Sequence, residues 1–459
     1  MSTSKKLSRR DFLRASALTA AGLVAAQCGA PATQAPPAAT EAPAPAQEPT
    51  PTSPPAPAAE AVTLEFWECF GGIAPVVQSE KDAIARFAEE NPDIKVNVVE
   101  VPFEQSHEKL VTAFVAGAGP DAFDATFVYK SEFVGAGYIE KLEPYIGELE
   151  QDLVPAALDD ARYKGEAYAL PANIDMYLQF YNKAIFDEAG RKPPENYDEL
   201  LEIGLELTDS AKPLYMYPVK GGRHTHFQVL SVCMAYNGPG ANQSIFDEEG
   251  NCLLNTEASV EGYQWWGDLL NVHHISPPTS PTEQIPETRQ QFIAGTLATT
   301  WDFLGSVQQF DDGMGRENYG MVPQPSGPTG VYHPWGANGY YMYSGSQHKE
   351  ETWRLLEHIL SPEMNGEITR NWGGLPANTK AFDQEWLQDP HYEIPKEVIL
   401  HPEWLQSVPT WLPEWTEVVT KVAIENNQGF LLGQQTAKES LDAQAAFLTE
   451  AQKKYLAGT

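Results

Sequence analysis

Positively charged residues are scarce in this chain. Its 459 residues include 30 Lys and Arg against 63 Asp and Glu, which gives a formal net charge of −33. A surface of that charge repels nucleic acid and anionic lipid, so neither is expected as a partner, and it favours solubility. An anionic ligand would need a local basic patch to overcome the same field.

Cysteine is also rare, and the motifs of metal and catalytic sites are missing. The sequence has four cysteines and no CxxC pair: Cys28, Cys69, Cys233 and Cys252. The histidines in 224–226 and 273–274 lack an HExxH frame, so we interpret them as packed or solvated side chains. No G-x-S-x-G elbow, phosphate-binding loop or dinucleotide fingerprint occurs. The sequence therefore predicts no metal site and no cofactor, and it leaves open whether two of the last three cysteines form a disulfide.

The apolar run near the N-terminus is too short to span a membrane. It covers residues 15–26, whereas a spanning helix needs about 20 apolar residues. The run follows Arg9-Arg10-Asp11-Phe12-Leu13, which resembles a twin-arginine export signal, and it precedes Ala25-Ala26-Gln27-Cys28, which is similar to a lipobox. Residues 1–28 are therefore predicted to be a twin-arginine lipoprotein signal with Cys28 lipidated. Gln27 departs from the usual small residue, and an ordinary signal peptide cut near Ala26 is the alternative.

A segment rich in proline and alanine follows the leader. Residues 29–61 consist mainly of Ala, Pro, Thr, Ser, Gln and Glu and contain almost no large apolar side chains. Such a composition cannot form a core of its own, and proline keeps the chain extended. We expect a disordered tether that holds the folded part away from a membrane surface.

Strands and helices alternate at the start of the folded part. The pattern predicts strands at 62–67 and 94–101 and a third strand that ends near Tyr129, with helices at 79–90 and 105–116 between them. This order indicates an α/β layer with a mostly parallel sheet. Ligands of such sheets lie at the carboxyl ends of the strands. A further strand is predicted at 214–219.

The stretch 162–190 predicts a crossover between two lobes. A short strand at 167–170 is expected to stop at Pro171, because proline offers no N–H to a ladder, and a second strand follows at 176–181. Asn182 suits the N-cap of a helix at 183–189, and Gly190 suits its left-handed end. A second crossover is expected where a strand at 319–323 ends at a proline.

Several short motifs in fixed order resemble one protein family. They are Ala85-Arg86-Phe87 with Asn91-Pro92-Asp93-Ile94-Lys95-Val96, Ala116-Gly117 with Pro120-Asp121, the run 165–171 with Tyr181-Asn182-Lys183, Phe292-Ile293-Ala294-Gly295, and Gly373-Gly374-Leu375-Pro376-Ala377. In this order they resemble the extracellular solute-binding proteins of ABC importers, in the carbohydrate-binding branch related to maltose-binding protein. The resemblance covers about residues 62–456.

The resemblance implies a two-lobe fold of the periplasmic-binding-protein type II. Each lobe would be a mixed, mostly parallel sheet flanked by helices, and crossover hinge strands near 170–171 and 322–323 would join them. We predict that 62–170 plus 320–360 form the N-terminal lobe. Residues 171–319 plus 361–459 would form the C-terminal lobe.

A sugar site is predicted where aromatic residues stand beside polar ones at strand ends. Rings cover the C–H faces of a sugar, and carboxylates or amides pair with its hydroxyls. The predicted ligand-binding residues are Trp67, Glu68, Tyr129, Asn173, Asp175, Trp301, Asp302, Trp335, Trp372 and Trp415. For any single tryptophan, burial in a core is the competing interpretation. Asp121 is as well explained by a structural cap as by a ligand contact.

The implied function is a non-enzymatic receptor. It would bind a sugar or oligosaccharide between its lobes and deliver it, as a monomer, to the permease of an ABC transporter, touching the membrane only through its lipid anchor. Two alternatives stay open. One is a secreted glycoside hydrolase, since paired carboxylates beside aromatics also serve that chemistry. The other is the same receptor fold with a non-sugar ligand such as a polyamine.

Overall fold

The computed structural model describes residues 61–71, 74–209, 211–222, 224–399 and 401–458. The predicted signal with Cys28 and nearly all of the predicted tether lie outside these ranges. Within them, no helix combines the length and the apolar character needed to cross a membrane.

Strands and helices alternate along most of the described chain. The strands are β1 (Val62–Gly71), β2 (Ile94–Pro102), β3 (Ala122–Thr126), β4 (Arg162–Tyr163), β5 (Glu166–Ala167), β6 (Leu170–Asn182), β7 (Thr299–Phe303), β8 (Tyr319–Val322), β9 (His333–Met342), β10 (Leu375–Pro376) and β11 (Leu405–Gln406). The helices are α1 (Ala74–Glu90), α2 (Phe103–Val115), α3 (Lys130–Gly135), α4 (Glu143–Ile146), α5 (Pro155–Ala161), α6 (Lys183–Ala189), α7 (Tyr197–Leu207), α8 (Thr225–Asn237), α9 (Glu257–Asn271), α10 (Ile285–Ile293), α11 (Val307–Met314), α12 (Lys349–Ile359), α13 (Pro362–Trp372), α14 (Glu393–Ile399), α15 (Trp415–Glu417), α16 (Ala423–Leu431) and α17 (Ala437–Ala457). Short 3-10 turns connect many of them.

Helix ends follow the local signals of the sequence. The Asn182 side chain accepts a hydrogen bond from the N–H of Ile185 at the start of α6, and Gly190 ends that helix in the left-handed conformation, as predicted. Thr436 and Glu439 form a capping box at the start of α17. These contacts satisfy N–H groups that a helix leaves unpaired at its first turn.

The sheet is mixed, and its strands run in the order β10-β6-β9-β3-β1-β2. β1 is parallel to β2 and β3, as the alternation of strand and helix predicted. β9 is antiparallel to both β3 and β6, so it joins the parallel part to the long strand β6. Helices flank the sheet, and the predicted α/β architecture is confirmed.

A single long strand, β6, belongs to two sheets. Its first half, Leu170–Met176, pairs with β9, and its second half, Tyr177–Asn182, pairs with β7 and β8. The predicted break at Pro171 was therefore wrong. The register shifts between Pro171 and Asn173, and a proline beside such an irregularity is tolerated because no ladder bond is required of it.

The predicted strand at 214–219 was also wrong. Leu214 and Tyr215 each form one isolated bridge, to Asp209 and Leu297. Farther along, the N–H of Val219 donates to the Ser276 hydroxyl at 2.9 Å. The apolar run reflects burial, since Met216, Tyr217 and Val219 are fully buried.

Buried apolar side chains form separate cores on the two sides of β6. The first core unites β1, α1, α2, β3, α12 and α13. The second contains α8, α9, Trp301 and Phe303 of β7 and the helices α15 to α17. A third lies along β6 from Ile174 to Phe180, with β8, α10 and α11. Met364, Ile368 and Trp372 of α13 pack in the first core, although the predicted lobe boundary placed 361–459 in the C-terminal lobe. The division into lobes stays a prediction, and its boundary has to allow for this helix.

The three cysteines of the folded part are all buried and free. Cys69 ends β1 in the first core, whereas Cys233 and Cys252 belong to the second. The disulfide that the sequence left open is therefore not formed in this structure.

Candidate functional site

The carboxyl end of β1 meets the C-terminus of α13 through an aromatic contact. The Phe70 and Trp372 rings lie edge to face with centroids 4.3 Å apart, and Phe70 also stacks on Phe103 at 5.4 Å. Gly373 follows with a φ of 82°, and a Cβ there would lie 2.3 Å from the carbonyl oxygen of Leu304. Only glycine therefore allows the end of α13 to approach the segment after β7 so closely.

Two polar residues of β6 lie beside this contact. Asp175 accepts a hydrogen bond from the N–H of Gly305 at 3.3 Å, and burial raises the pKa of its carboxyl to about 7 despite that bond. Asn173 accepts from the N–H and the side-chain amide of Asn338, both at 3.2 Å. Its own Nδ2 is buried and donates to no described residue, which leaves it available to a ligand.

A second group of aromatic rings lies in the second core. Phe303, the last residue of β7, lies 4.9 Å from both Tyr177 and Phe227 between ring centroids. Phe227 is 4.0 Å from His226, and His226 is 5.6 Å from Trp415 at the start of α15. The indole Nε1 of Trp415 is buried and has no hydrogen-bond partner among the described residues.

The C-terminal segment returns to the first core near the end of β3. Thr416 donates its hydroxyl to the carbonyl of Val128 at 3.4 Å, and Ser131 donates to the carbonyl of Thr410 at 2.5 Å. The first core thus meets Leu304 and Val307 of the third core beside Trp372, and it meets the second core at α15. We call the arrangement between them the interlobe site and define it by seven side chains: Phe70, Asn173, Asp175, Phe227, Phe303, Trp372 and Trp415.

Of the predicted ligand-binding residues, the structure brings four to the interlobe site. These are Asn173, Asp175, Trp372 and Trp415. Trp301 instead lies deeper along β7 and is fully buried, 4.6 Å from the Tyr217 ring, with its Nε1 donating to Gln179 at 3.4 Å. Its environment matches the competing interpretation of a core tryptophan.

Asp302 is held by two cations inside the protein. Arg289 donates to both of its carboxylate oxygens, at 2.8 and 3.1 Å, and Lys220 lies at 3.5 Å. Burial alone would raise the pKa of Asp302, but the charges of Arg289 and Lys220 outweigh it and hold the pKa well below the usual range. The carboxylate therefore already has strong partners, and its predicted role toward a ligand stays a prediction.

The remaining aromatic candidates lie outside the interlobe contacts. Trp67 is partly exposed, and its Nε1 donates to Glu65 at 2.6 Å, back toward the start of β1. Tyr129 packs in the first core, 4.7 Å from the His107 ring. Trp335 pairs with Met176 across β9 and β6 and belongs to the third core.

Glu68 lies in a buried group of carboxylates with Glu80 and Asp124. One oxygen from each lies within 4.8 Å of the others. Burial raises the pKa of Glu68 to about 7 and that of Glu80 to about 8. The sequence analysis did not select Glu80, although its position among apolar residues at helical spacing indicates a buried acid. Glu80 stands on the same face of α1 as Val76, Ile84 and Phe87, which are buried apolar residues.

Three aromatic members of the interlobe site were also missed. Phe70 and Phe303 each stand two residues after a residue that was chosen, Glu68 and Trp301. Side chains two apart on a strand share a face, so Phe70 and Phe303 could have been chosen by the same rule as Glu68 and Trp301. Phe227 lies in the first turn of α8 and carries no local signal.

These features define a class: a binding protein whose separate apolar cores are joined by the long strand β6, with aromatic and polar residues gathered where the cores meet. Residues 74–366 match the family described as bacterial extracellular solute-binding protein, and the chain belongs to that family. Proteins of this family are exported.

Similar proteins of known name are spread across distant organisms. An arabinooligosaccharide-binding protein of Halalkalibacterium halodurans is 27% identical over 341 residues, 72% of this chain and 74% of that protein. A maltotriose-binding protein of Pyrococcus abyssi is 26% identical over 310 residues, 64% of this chain and 63% of that protein.

Solved structures share the fold over most of the described chain. A solute-binding protein of Thermotoga lettingae, bound with alpha-D-tagatose, has a TM-score of 0.76 and 23% identity and covers 85% of this chain and 100% of its own. The GacH receptor of Streptomyces glaucescens, solved unliganded and with acarbose, has a TM-score of 0.76 and 21% identity and covers 86% of this chain and 99% of its own. The predicted two-lobe fold is thereby confirmed.

Proposed function

We propose that this protein is an extracytoplasmic receptor that binds a sugar or an oligosaccharide in the interlobe site and delivers it to the permease of an ABC importer. The observation that carries the proposal is the pair of aromatic groups, Phe70 with Trp372 in the first core and Phe303 with Phe227 in the second, together with the buried donors of Asn173 and Trp415 that no described residue accepts. Relatives named for oligosaccharides and neighbours solved with tagatose or acarbose support the same ligand class.

The chemistry of the site suits a guest with apolar faces and a rim of hydroxyls. Trp372, Phe303 and Phe227 would cover C–H faces, while Asp175 would accept and Asn173 would donate hydrogen bonds. A buried donor without a partner is costly, so a ligand oxygen that fills it contributes to affinity. The ligand would touch both cores, which is the condition for favouring a closed form over an open one.

The hinge of this movement would lie where the chain passes between the sheets. β6 changes its pairing partners between Met176 and Tyr177, and the chain returns between the end of β8 at Val322 and the start of β9 at His333. The second passage agrees with the predicted position near 322–323. The first lies about six residues beyond the predicted one.

The form that acts would be a monomer attached to the outer face of the cytoplasmic membrane by a lipid on Cys28. The twin-arginine motif, the lipobox-like segment and the proline-rich tether support this. We expect the Cys28→Ser variant, expressed in the native host, to leave the membrane fraction and appear in the soluble extracytoplasmic fraction. A variant that stays with the membrane as wild type does would refute lipid attachment at this residue.

Binding to a ligand panel tests the proposal directly. Calorimetry and tryptophan fluorescence with maltose, maltotriose, arabino-oligosaccharides, tagatose and acarbose should reveal at least one sugar that binds with a stoichiometry of one. Small-angle scattering should then show a more compact monomer, because the ligand stabilises the closed form. Binding of spermidine with no response to any sugar would replace the sugar by a polyamine. Hydrolysis of a labelled oligosaccharide would move the protein to the glycoside hydrolases.

A further inference from the structure

Three acidic side chains from three different elements converge in the first core. Glu68 lies near the end of β1, Glu80 lies in α1 and Asp124 lies in β3. They are 0%, 1% and 2% exposed, so the group is sealed from solvent. Because one oxygen of each lies within 4.8 Å of the other two, their charges repel strongly unless something neutralises them.

Each carboxylate is anchored through one oxygen and leaves the other without a partner. Glu68 accepts from the N–H of Phe70 at 2.9 Å, Glu80 from the hydroxyl of Tyr340 at 2.8 Å, and Asp124 from the N–H of Cys69. The second oxygens, Oε2 of Glu68 and Glu80 and Oδ2 of Asp124, are buried and accept no hydrogen bond from a described residue. Each carboxylate is thus held in position by one oxygen and keeps a second oxygen that could bind a cation.

No described lysine or arginine forms an ion pair with Glu68, Glu80 or Asp124. Lys81, the next residue along α1, pairs with Glu100 at 3.1 Å on the surface. The described ion pairs of the chain include none of the three carboxylates with a lysine or an arginine. Burying ionised carboxylates of one sign costs several kcal/mol each, so in the ionised state the group needs a counter-charge that no described lysine or arginine supplies.

We propose that Glu68, Glu80 and Asp124 form a binding site for a hard divalent cation, with Ca²⁺ as the best fit. Carboxylate oxygens are the preferred ligands of Ca²⁺, Mg²⁺ and Mn²⁺, and the group lacks the nitrogen and sulfur ligands of zinc sites. One oxygen of each carboxylate lies within 4.8 Å of the others, so small side-chain adjustments would let one cation bind all three. Ca²⁺ tolerates irregular geometry and varied coordination numbers, whereas Mg²⁺ demands a near-ideal octahedron.

This site is separate from the interlobe site and departs from the absence of metal that the sequence predicted. The cation would join β1, β3 and α1 inside one core, two residues before Phe70. Its bound state would stabilise the end of β1, and the proposal does not depend on which solute the receptor carries.

Cation titration of the whole protein is the first test. After treatment with EDTA, the protein should bind Ca²⁺ with a stoichiometry of one in calorimetry, and Mn²⁺ should bind in competition with it. Saturation with Ca²⁺ should raise Tm by about 2–5 °C, since a ligand that binds only the folded state stabilises it. No saturable binding of Ca²⁺, Mg²⁺ or Mn²⁺ up to ~1 mM would overturn the proposal.

Variants of two of the three carboxylates and a control then test whether the cation binds at this site. Glu80→Gln and Asp124→Asn should each weaken Ca²⁺ binding by at least about tenfold and remove the rise in Tm. Glu89→Gln is the control, because Glu89 is an exposed acid of the same helix. It should bind Ca²⁺ as wild type does. Binding that survives Glu80→Gln and Asp124→Asn unchanged would mean that the cation sits on the acidic surface, and would refute this site.

Discussion

Replacing Trp372 by leucine is expected to lower affinity for the best-binding sugar of the panel by about 30-fold or more, or ~2 kcal/mol. The indole packs edge to face on Phe70 of the first core, and the backbone of Trp372 and Gly373 lies against the Leu304–Gly305 segment after β7. We therefore expect a guest between the cores to touch this side chain. Leucine keeps the apolar bulk but removes the flat face. Calorimetric titration of the variant gives the comparison.

A second tryptophan of the same core provides the control. Trp353 in α12 and Trp372 are both 8% exposed, but Trp353 stacks on Tyr145, away from the interlobe contacts. Trp353→Leu should cost similar stability and leave sugar affinity within about twofold of wild type. If both variants lose affinity equally, the loss arises from a weakened core, and the place of Trp372 in the site is refuted.

Replacing Arg289 by methionine is expected to reduce the free energy of unfolding by about 3 kcal/mol. The change removes the arginine that donates to both carboxylate oxygens of Asp302, which is fully buried, and leaves the more distant Lys220, at 3.5 Å, as its nearest cation. Denaturant titration of both proteins at neutral pH measures the difference. Arg191→Met is the comparison. Arg191 pairs with Glu202 and Glu206 at the surface, so its loss should cost under about 1 kcal/mol.

Lowering the pH should reduce the difference in the free energy of unfolding between wild type and Arg289→Met. The pKa of Asp302 is depressed in the folded state, so its contribution is present above the ordinary Asp pKa and is lost as the pH falls toward the folded value. This contribution is larger in wild type, where Arg289 stabilises the carboxylate, than in the variant. The difference in the free energy of unfolding should therefore shrink as the pH falls below about 4. A gap that is constant between neutral and acidic pH would show that Arg289 acts through packing and not through charge.

Local signals predicted local structure well. The cap at Asn182, the end of α6 at Gly190 and the alternation of β1, α1 and β2 depend on neighbours in the chain, and all are confirmed. Pro171 shows the limit of predicting from local signals. Proline disfavours a strand, but β6 continues through Pro171 because its pairing with β9 shifts register there.

How deeply a side chain is buried, and which distant residues it contacts, could not be predicted from the sequence. Trp301 and Phe303 share a face of β7, but only the position of α7 and α9 decides that Trp301 is enclosed. Arg289 precedes Asp302 by 13 residues with no motif between them, so their ion pair becomes visible only in the fold. Glu80 stands on an apolar helix face, and that anomaly was the one readable sign of the carboxylate group.

The strand common to both sheets has a consequence for how the molecule could be divided. β6 lies beside β9 for its first half and beside β7 and β8 for its second half. Cutting the protein into two independent halves would deprive one of them of an inner strand and expose an unpaired edge. Neither half is thus expected to fold as a module of its own, and any truncation of this protein has to keep β6 together with the partners on both sides.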